Sequence, residues 1–318
     1  MHYDVFNGDA DGIIALLQLR LAQPKVSTLV TGVKRDIQLL EKLAVAAGDT
    51  VTVLDISMHN NKAALEKLLS ASVHVFYADH HKSGEIPSHP NLDAHIDLDA
   101  NTCTALIVDT LLEGRFHTWA ITAAYGDNLI AKADDLAADA GLNSEQKSQL
   151  KELGTLINYN GYGTELKDLH FDPAVLFKQL LAYDDPFAVI ADPHSPFAAL
   201  QSAYQQDIAK ALAVAPRYQS ELLAVFELPN EASSRRISGV YGNLLANQAP
   251  HAAHAVLTEN SDGTYTVSLR APLNNKHGAG DICSQFSSGG GRAAAAGINA
   301  LAKDQVSAFI DAVEGYYR

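Results

Sequence analysis

The sequence predicts an α/β fold in which a mostly parallel N-terminal sheet, flanked by helices, is followed by a smaller C-terminal α/β domain. Two observations lead there. Up to residue 110, short β-branched runs alternate with apolar runs of helical spacing, the pattern of βαβ units. After Arg236 the apolar period returns to two, in HAVLTE and TYTVSLRA on either side of an NSDG turn, and these two runs read as a β-hairpin. A chain of 318 residues suffices for two domains with separate cores.

In chain order, YDVFN, STLVTG, TVTVLDIS and VHVFYADHH are the predicted strands, and IIALLQLRLA, IQLLEKLAVAA and AALEKLLS the helices between them. From about 103 to 182 the pattern turns helical: TALIVDTLL, TWAITAAYGDNLIAKADDLAADAG and SEQKSQLKELGTLINYNG carry apolar residues three and four apart. Pro186, Pro193 and Pro196 then crowd together and favour turn or extended geometry. A long helix is expected over about 198–225, and after the hairpin the chain closes with SSGGGRAAAAGIN and the amphipathic VSAFIDAVEGYY. The expected organisation is a first domain over 1–188, a linker and connecting helix over 189–235, and a second domain over 236–318.

Composition narrows the function classes. The hydrophobic fraction of 47% with 19% charged residues is that of a globule, and no apolar run approaches the roughly 18 residues that span a bilayer. The N-terminus MHYDVFNGDADG lacks the basic start and apolar stretch of a signal peptide, so a cytoplasmic protein without a membrane partner is expected. Cys103 and Cys283 have no CxxC neighbour; buried, inert thiols are expected, with no disulfide framework or structural zinc. With 23 basic against 37 acidic residues, a net charge of −14, the chain repels long nucleic acid, whereas its carboxylates and 13 histidines suit divalent metals.

The carboxylates gather at strand ends. VFNGDADG brings Asp9 and Asp11, TVLDIS brings Asp55, and VFYADHH brings Asp79, His80 and His81. In a parallel sheet these C-terminal ends share one edge, where α/β proteins place their ligands. Taken singly, Asp9 or Asp11 reads as a helix N-cap. Taken together, close carboxylates repel by roughly 4 kcal/mol per pair at an effective dielectric near 20, so the cluster requires cations.

The ordered set DADG, LDIS and ADHH resembles the first three motifs of the DHH phosphoesterase superfamily, and GAGDICSQFSSGGGRAAAAGIN resembles the glycine-rich signature of its DHHA1 domain. The resemblance spans nearly the whole chain and implies an N-terminal DHH domain and a C-terminal DHHA1 domain with the active-site cleft between them. It also implies two divalent ions, manganese first and magnesium or cobalt next. Asp9 resembles a ligand of one ion, Asp11 and His80 ligands of the other, and Asp55 the bridging carboxylate. His81 is expected near the scissile phosphate and Asp79 as an acceptor orienting the histidines. The fourth motif falls on Asp127 in TAAYGDNLI, with Asp109 as its rival. Two positions depart from the pattern: Val5 stands where many oligoribonuclease-type members carry a ligating histidine, leaving Asn7 as a substitute, and Arg292 follows the glycines where relatives commonly have histidine.

The implied activity is two-metal hydrolysis of a phosphoester, with His81 or water returning a proton to the leaving alkoxide. Arg270, Arg292, Gly289, Gly290, Gly291 and His277 are the expected substrate contacts, with Lys276 lining the same cleft, whereas Arg235 and Arg236 read as a solvated turn. The long-strand exonucleases of the superfamily carry an additional nucleic-acid-binding module, so a short nucleotide is expected, first a 5′-phosphorylated dinucleotide such as pGpG. Adenosine bisphosphate and cyclic dinucleotides are the alternatives, and a non-catalytic nucleotide sensor is the alternative of another class. A pyrophosphatase is disfavoured by the glycine segment. A monomer or homodimer is expected.

Overall fold

The computed structural model describes residues 1–318, which divide into two compact units, Met1–Ser202 and Ala203–Arg318. In the first, five parallel strands, β1 (His2–Phe6), β2 (Thr28–Val30), β3 (Thr50–Leu54), β4 (His74–Asp79) and β5 (Leu92–Ile96), form a sheet in the order β2-β1-β3-β4-β5. The helices of this unit are α1 (Ala10–Ala22), α2 (Lys62–Ser70), α3 (Thr104–Leu111), α4 (His117–Gly126), α5 (Ile130–Asp139), α6 (Ser144–Gly161), α7 (Pro173–Leu180) and α8 (Pro186–Ala191); α9 (Pro196–Leu212) runs across the division. Alternation along the strands sorts the two sheet faces. Tyr3, Val5, Val51, Val53, Val75 and Tyr77 pack with Leu65, Leu68 and Leu69 of α2 on one face, whereas Asp4 on the opposite face of β1 meets Arg20 of α1.

Register carries the strand ends to a common edge. Phe6 pairs with Leu54 and Leu54 with Ala78, and the ladder continues past the strands through Asn7 N–H to the Leu54 carbonyl (3.2 Å) and Asp55 N–H to the Ala78 carbonyl (3.1 Å). The residues that follow β1, β3 and β4 therefore emerge side by side. Glycines bring the helices close at this edge: a Cβ on Gly126 would lie 2.6 Å from Ala10 Cβ, and one on Gly154 only 2.1 Å from the Thr122 carbonyl oxygen. Each would collide, so α1, α4 and α6 approach only because these positions lack side chains.

In the second unit, β6 (Tyr218–Gln219), β7 (Leu223–Leu228), β8 (Ala253–Glu259), β9 (Tyr265–Arg270), β10 (Gly289–Gly291) and β11 (Ala295–Leu301) form a sheet in the order β10-β11-β9-β8-β7-β6, antiparallel except for the β7–β8 pair. The expected hairpin is β8–β9, and the amphipathic tail forms α12 (Val306–Tyr317); α10 (Ala232–Gln248) and α11 (Ala279–Cys283) complete the unit. Val306, Phe309 and Val313 of α12 pack into the sheet core with Ile298 and Leu269. No helix is long and apolar enough to cross a membrane.

Three expected elements differ. IQLLEKLAVAA forms only a 3-10 turn at Leu39–Lys42, because Leu39 and Leu40 insert under the sheet and the Ala44 carbonyl accepts from Tyr3 Oη (2.8 Å), not from a helical N–H. The helix expected to reach 225 ends at Leu212, ahead of Pro216, and gives way to β6 and β7. The stretch around Arg235 and Arg236 is not a solvated turn but part of α10, which runs on past Arg236 before the two-residue period begins, and Arg236 Nε donates to Asp207 Oδ2 (2.9 Å).

Candidate metal centre

Asp9 caps α1, its Oδ1 accepting from Gly12 N–H (3.1 Å). The N-cap reading and the cluster reading therefore apply to one side chain. Asp11, in the first turn of the same helix, accepts from the first two N–H groups of α3: Thr104 to Oδ2 (2.8 Å) and Ala105 to Oδ1 (2.7 Å). This carboxylate sits at a positive helix end and pins α3 against α1. Asp55 follows β3 in the left-handed region (φ 59°), where aspartate is one of the few tolerated side chains, and its Oδ1 accepts from Thr104 Oγ1 (3.2 Å).

The two histidines are set by what their Nδ1 atoms hold. His80 Nδ1 meets the Thr102 carbonyl (2.9 Å), which can only accept, so Nδ1 carries a proton and Nε2 faces inward. That nitrogen lies 3.4 Å from Asp55 Oδ1, 3.6 Å from Asp11 Oδ2 and 4.0 Å from Asp127 Oδ2. His81 Nδ1–H donates to Asp79 Oδ1 (2.8 Å), leaving Nε2 of this half-buried ring for other partners. Asp127 caps the C-terminus of α4. Asp55, His80 and His81 have ligand atoms within 4.8 Å of one another. Asp109 Oδ2 pairs with His117 Nδ1 (2.6 Å).

A cation from outside the expected motifs enters the cluster. Lys34 Nζ donates to Asp9 Oδ2 and to Asn158 Oδ1 (3.2 Å), and lies 4.0 Å from Asp127 Oδ1. The carboxylates respond unequally. Burial would raise Asp9, but the adjacent Lys34 ammonium holds it below the usual carboxylate range. Burial, reinforced by Asp127 and Asp9 against the pull of His80, raises Asp11; burial together with Asp11, Asp9, Asp79 and Asp127 raises Asp55 well above that range. Oxygen donors with an imidazole are the hard and borderline ligands that Mn2+ and Mg2+ take, and the inward Nε2 of His80 beside three carboxylates fits a divalent ion. Val5 is buried in the apolar core and offers no ligand. Asn7 Oδ1 is buried without a hydrogen-bond partner, while its Nδ2 donates to the Lys34 carbonyl (3.1 Å).

The expected substrate contacts lie in the second unit. The Arg270 guanidinium donates to Asn243 Oδ1 (2.6 Å), Ser268 Oγ (3.0 Å), and the Leu269 and Gly239 carbonyls (3.3 and 3.2 Å). Gly289 and Gly291 are required by packing: a Cβ would lie 1.8 Å from the Cys283 carbonyl oxygen and 2.5 Å from Ala296 Cα. Gly290 alone of the three opens onto free space. Arg292, Lys276 and His277 are exposed, the His277 carbonyl accepting from Tyr317 Oη (2.7 Å). Cys103 and Cys283 are buried free thiols, and burial raises both.

A parallel sheet with acidic and imidazole groups on one edge is thus followed by a unit with a mixed sheet. Residues 220–318 match the DHHA1 domain family, and the whole chain shares its fold with solved structures of an exonuclease and a phosphodiesterase. Exonuclease RecJ bound to manganese aligns with TM-score 0.60 at 16% identity, over 99% of this chain and 89% of that one. The pGpG-specific phosphodiesterase PggH from Vibrio cholerae aligns with TM-score 0.55 at 14% identity, over 100% and 99%. RecJ from Thermus thermophilus in complex with Mn2+ aligns with TM-score 0.59 at 17% identity, over 99% of this chain and 52% of that one. No curated protein matches in sequence.

Proposed function

We propose that the protein is a divalent-metal-dependent phosphoesterase acting on short nucleotides, with linear 5′-phosphorylated dinucleotides such as pGpG as the leading substrate. The observation that carries this reading is the inward Nε2 of His80 among Asp11, Asp55 and Asp127, with His81 beside them. The shared fold with a pGpG-specific phosphodiesterase and with a manganese-bound exonuclease supports it. The acidic net charge favours a short substrate over a long polyanion.

A divalent cation, manganese first, supplies Lewis-acid polarisation of the phosphoryl oxygens and lowers the pKa of attacking water. The resemblance implies two ions, the first at Asp9 with Asn7, the second at Asp11 and His80, and Asp55 between them; Lys34 already stands at Asp9. As an imidazolium whose Nδ1–H is held by Asp79 Oδ1, His81 would give its Nε2 proton to the leaving oxygen and be left neutral. Within the second unit, Arg292 and the open backbone at Gly290, with Arg270 and His277, are the groups suited to a phosphate or a base.

The test is incubation with manganese and a panel of 5′-phosphorylated dinucleotides, adenosine 3′,5′-bisphosphate, cyclic dinucleotides and pyrophosphate, with products resolved by chromatography. Mononucleotides from the linear dinucleotides are the expected result. Stoichiometric binding without product across the manganese series would replace catalysis by nucleotide sensing.

A further inference from the structure

We infer that Lys34 is a resident cation of this centre, its ammonium standing at Asp9 and Asp127 where a first divalent ion would bind, so that the chain takes up one divalent ion at His80, Asp11 and Asp55.

Every part of Lys34 is held. Its backbone N–H donates to the Gly161 carbonyl (2.8 Å), at the end of α6, and its carbonyl accepts from Asn7 Nδ2 (3.1 Å). The side chain passes over the Tyr162 ring, with Nζ 5.4 Å from its centroid, and ends on Asp9 and Asn158. Asn158, Gly161 and Tyr162 all come from the last turn of α6 or just beyond it, so one segment fixes the stem and the head of this lysine. The loop of Asp9 is fitted to the same segment: a Cβ on Gly161 would lie 3.0 Å from Asp9 Cα and from the Gly8 carbonyl oxygen. A surface lysine forming a chance ion pair has no such scaffold.

Charge divides the cluster into two halves. One half consists of Asp9, Asp127 and Asn158 around Lys34 Nζ. The other consists of Asp11, Asp55 and Asp127 around His80 Nε2. The positive partners of Asp11 and Asp55 in the second half are imidazoles, charged only when protonated, and there the demand for a cation persists. In the first half both oxygens of Asp9 have partners, Gly12 N–H and Lys34 Nζ. A divalent ion on Asp9 would have to share that carboxylate with an ammonium already hydrogen-bonded to it. The apolar Val5, where the resemblance expects a ligating histidine, removes a further reason for an ion to settle there.

The inference rests on the metal-dependent reading but on no particular substrate, and the experiment keeps the two apart. Metal-free protein is titrated with Mn2+, bound ions are counted by elemental analysis, and the saturated sample is examined by electron paramagnetic resonance. One ion per chain and the six-line spectrum of an isolated Mn2+ are expected. Asp9→Asn should keep that ion and His80→Ala should lose it. Lys34→Met should take up a second ion and show exchange coupling between the two. Two ions in the wild-type chain, or a coupled spectrum, overturns the inference. So does a Lys34→Met protein with wild-type circular dichroism that still binds one ion. If that variant does not fold, the wild-type count and Asp9→Asn decide. One ion bound with no phosphoester cleaved anywhere in the panel leaves the inference standing and removes catalysis; no ion bound removes both.

Discussion

Asp55→Asn should stabilise the metal-free protein while abolishing its stabilisation by manganese. The substitution is nearly isosteric; asparagine tolerates the left-handed backbone at position 55 as aspartate does, and its amide oxygen keeps the hydrogen bond from Thr104 Oγ1. What it removes is charge. Asp55 Oδ1 and Asp11 Oδ2 lie 3.4 and 3.6 Å from the same His80 nitrogen, so they are separated by at most about 7 Å. For unit charges about 4 to 7 Å apart, an effective dielectric of about 20 gives about 2 to 4 kcal/mol of repulsion. Protonation of Asp55 already relieves part of it, which leaves an expected gain of about 1 to 3 kcal/mol at pH 8, or about 2 to 12 °C in Tm for a domain of this size.

The pH dependence has a definite sign. The folded-state pKa of Asp55 is raised by burial and by its acidic neighbours, so the native state binds the proton more tightly than the unfolded chain. The contribution of this group is fully present below the unfolded carboxylate pKa and is lost as pH rises through the folded value. In EDTA the wild type should therefore lose stability as pH rises above the ordinary carboxylate range, and Asp55→Asn should flatten that slope. With manganese at about 100 times its dissociation constant the wild type gains about 2.7 kcal/mol, and the variant should gain none. Thermal unfolding of both proteins from pH 5 to 8, with EDTA and with manganese, provides the four curves. A variant less stable than the wild type in EDTA, or one that manganese stabilises equally, would refute the reasoning.

Other perturbations separate chemistry from architecture. His81→Ala should lower kcat by about 10²- to 10⁴-fold and leave the manganese titration unchanged, because the proton and not the ion depends on it. Gly154→Ala places a Cβ 2.1 Å from the Thr122 carbonyl oxygen; urea unfolding should show a loss of about 1 to 3 kcal/mol, and manganese affinity should fall as α4 shifts Asp127. Burial would raise the pKa of Asp4, but hydrogen bonds from Arg20, His2 and Ser27 hold it down to about 2. Its contribution of about 2 kcal/mol is present above the unfolded pKa and lost as pH falls from about 4 to 2, and Asp4→Asn should remove that segment of the acid denaturation curve.

The acidic edge was legible because two rules reinforce each other: strands in a parallel sheet end on one side, and Asp9, Asp11, Asp55, Asp79 and His80 lie at or just past strand ends in the sequence. Lys34 obeys the same rule. It follows β2 by four residues, on the same edge, but a lone basic residue in GVKRD carries no pattern, and its partner Asn158 is more than a hundred residues away. The helix missed at α10 is polar and contains glycine, with low intrinsic propensity; Ile237, Val240, Tyr241 and Leu245 hold it by burial, which local sequence does not reveal. In the opposite direction, the apolar spacing of IQLLEKLAVAA suggests a helix, and the bond from Tyr3 Oη to the Ala44 carbonyl diverts the backbone. Gly289 and Gly291 illustrate a third gap: the triplet signals closeness of backbone, but not whether the close neighbour is a ligand or the chain itself.

Compensation of charge gives the centre its order. Four carboxylates, Asp9, Asp11, Asp55 and Asp127, are buried or nearly so at one sheet edge, a burden that an apolar surrounding tolerates only with partners for each. Asp11 is answered by the two N–H groups that open α3, and Asp9 by Gly12 N–H and Lys34. Asp55 receives one hydroxyl and the flanks of two imidazoles, the least of these three, and it sits on a left-handed backbone that aims it into the group. Of these three, the carboxylate with the weakest internal compensation is thus the one from which a bound cation gains most, and the fold has placed the inward nitrogen of His80 3.4 Å away from it.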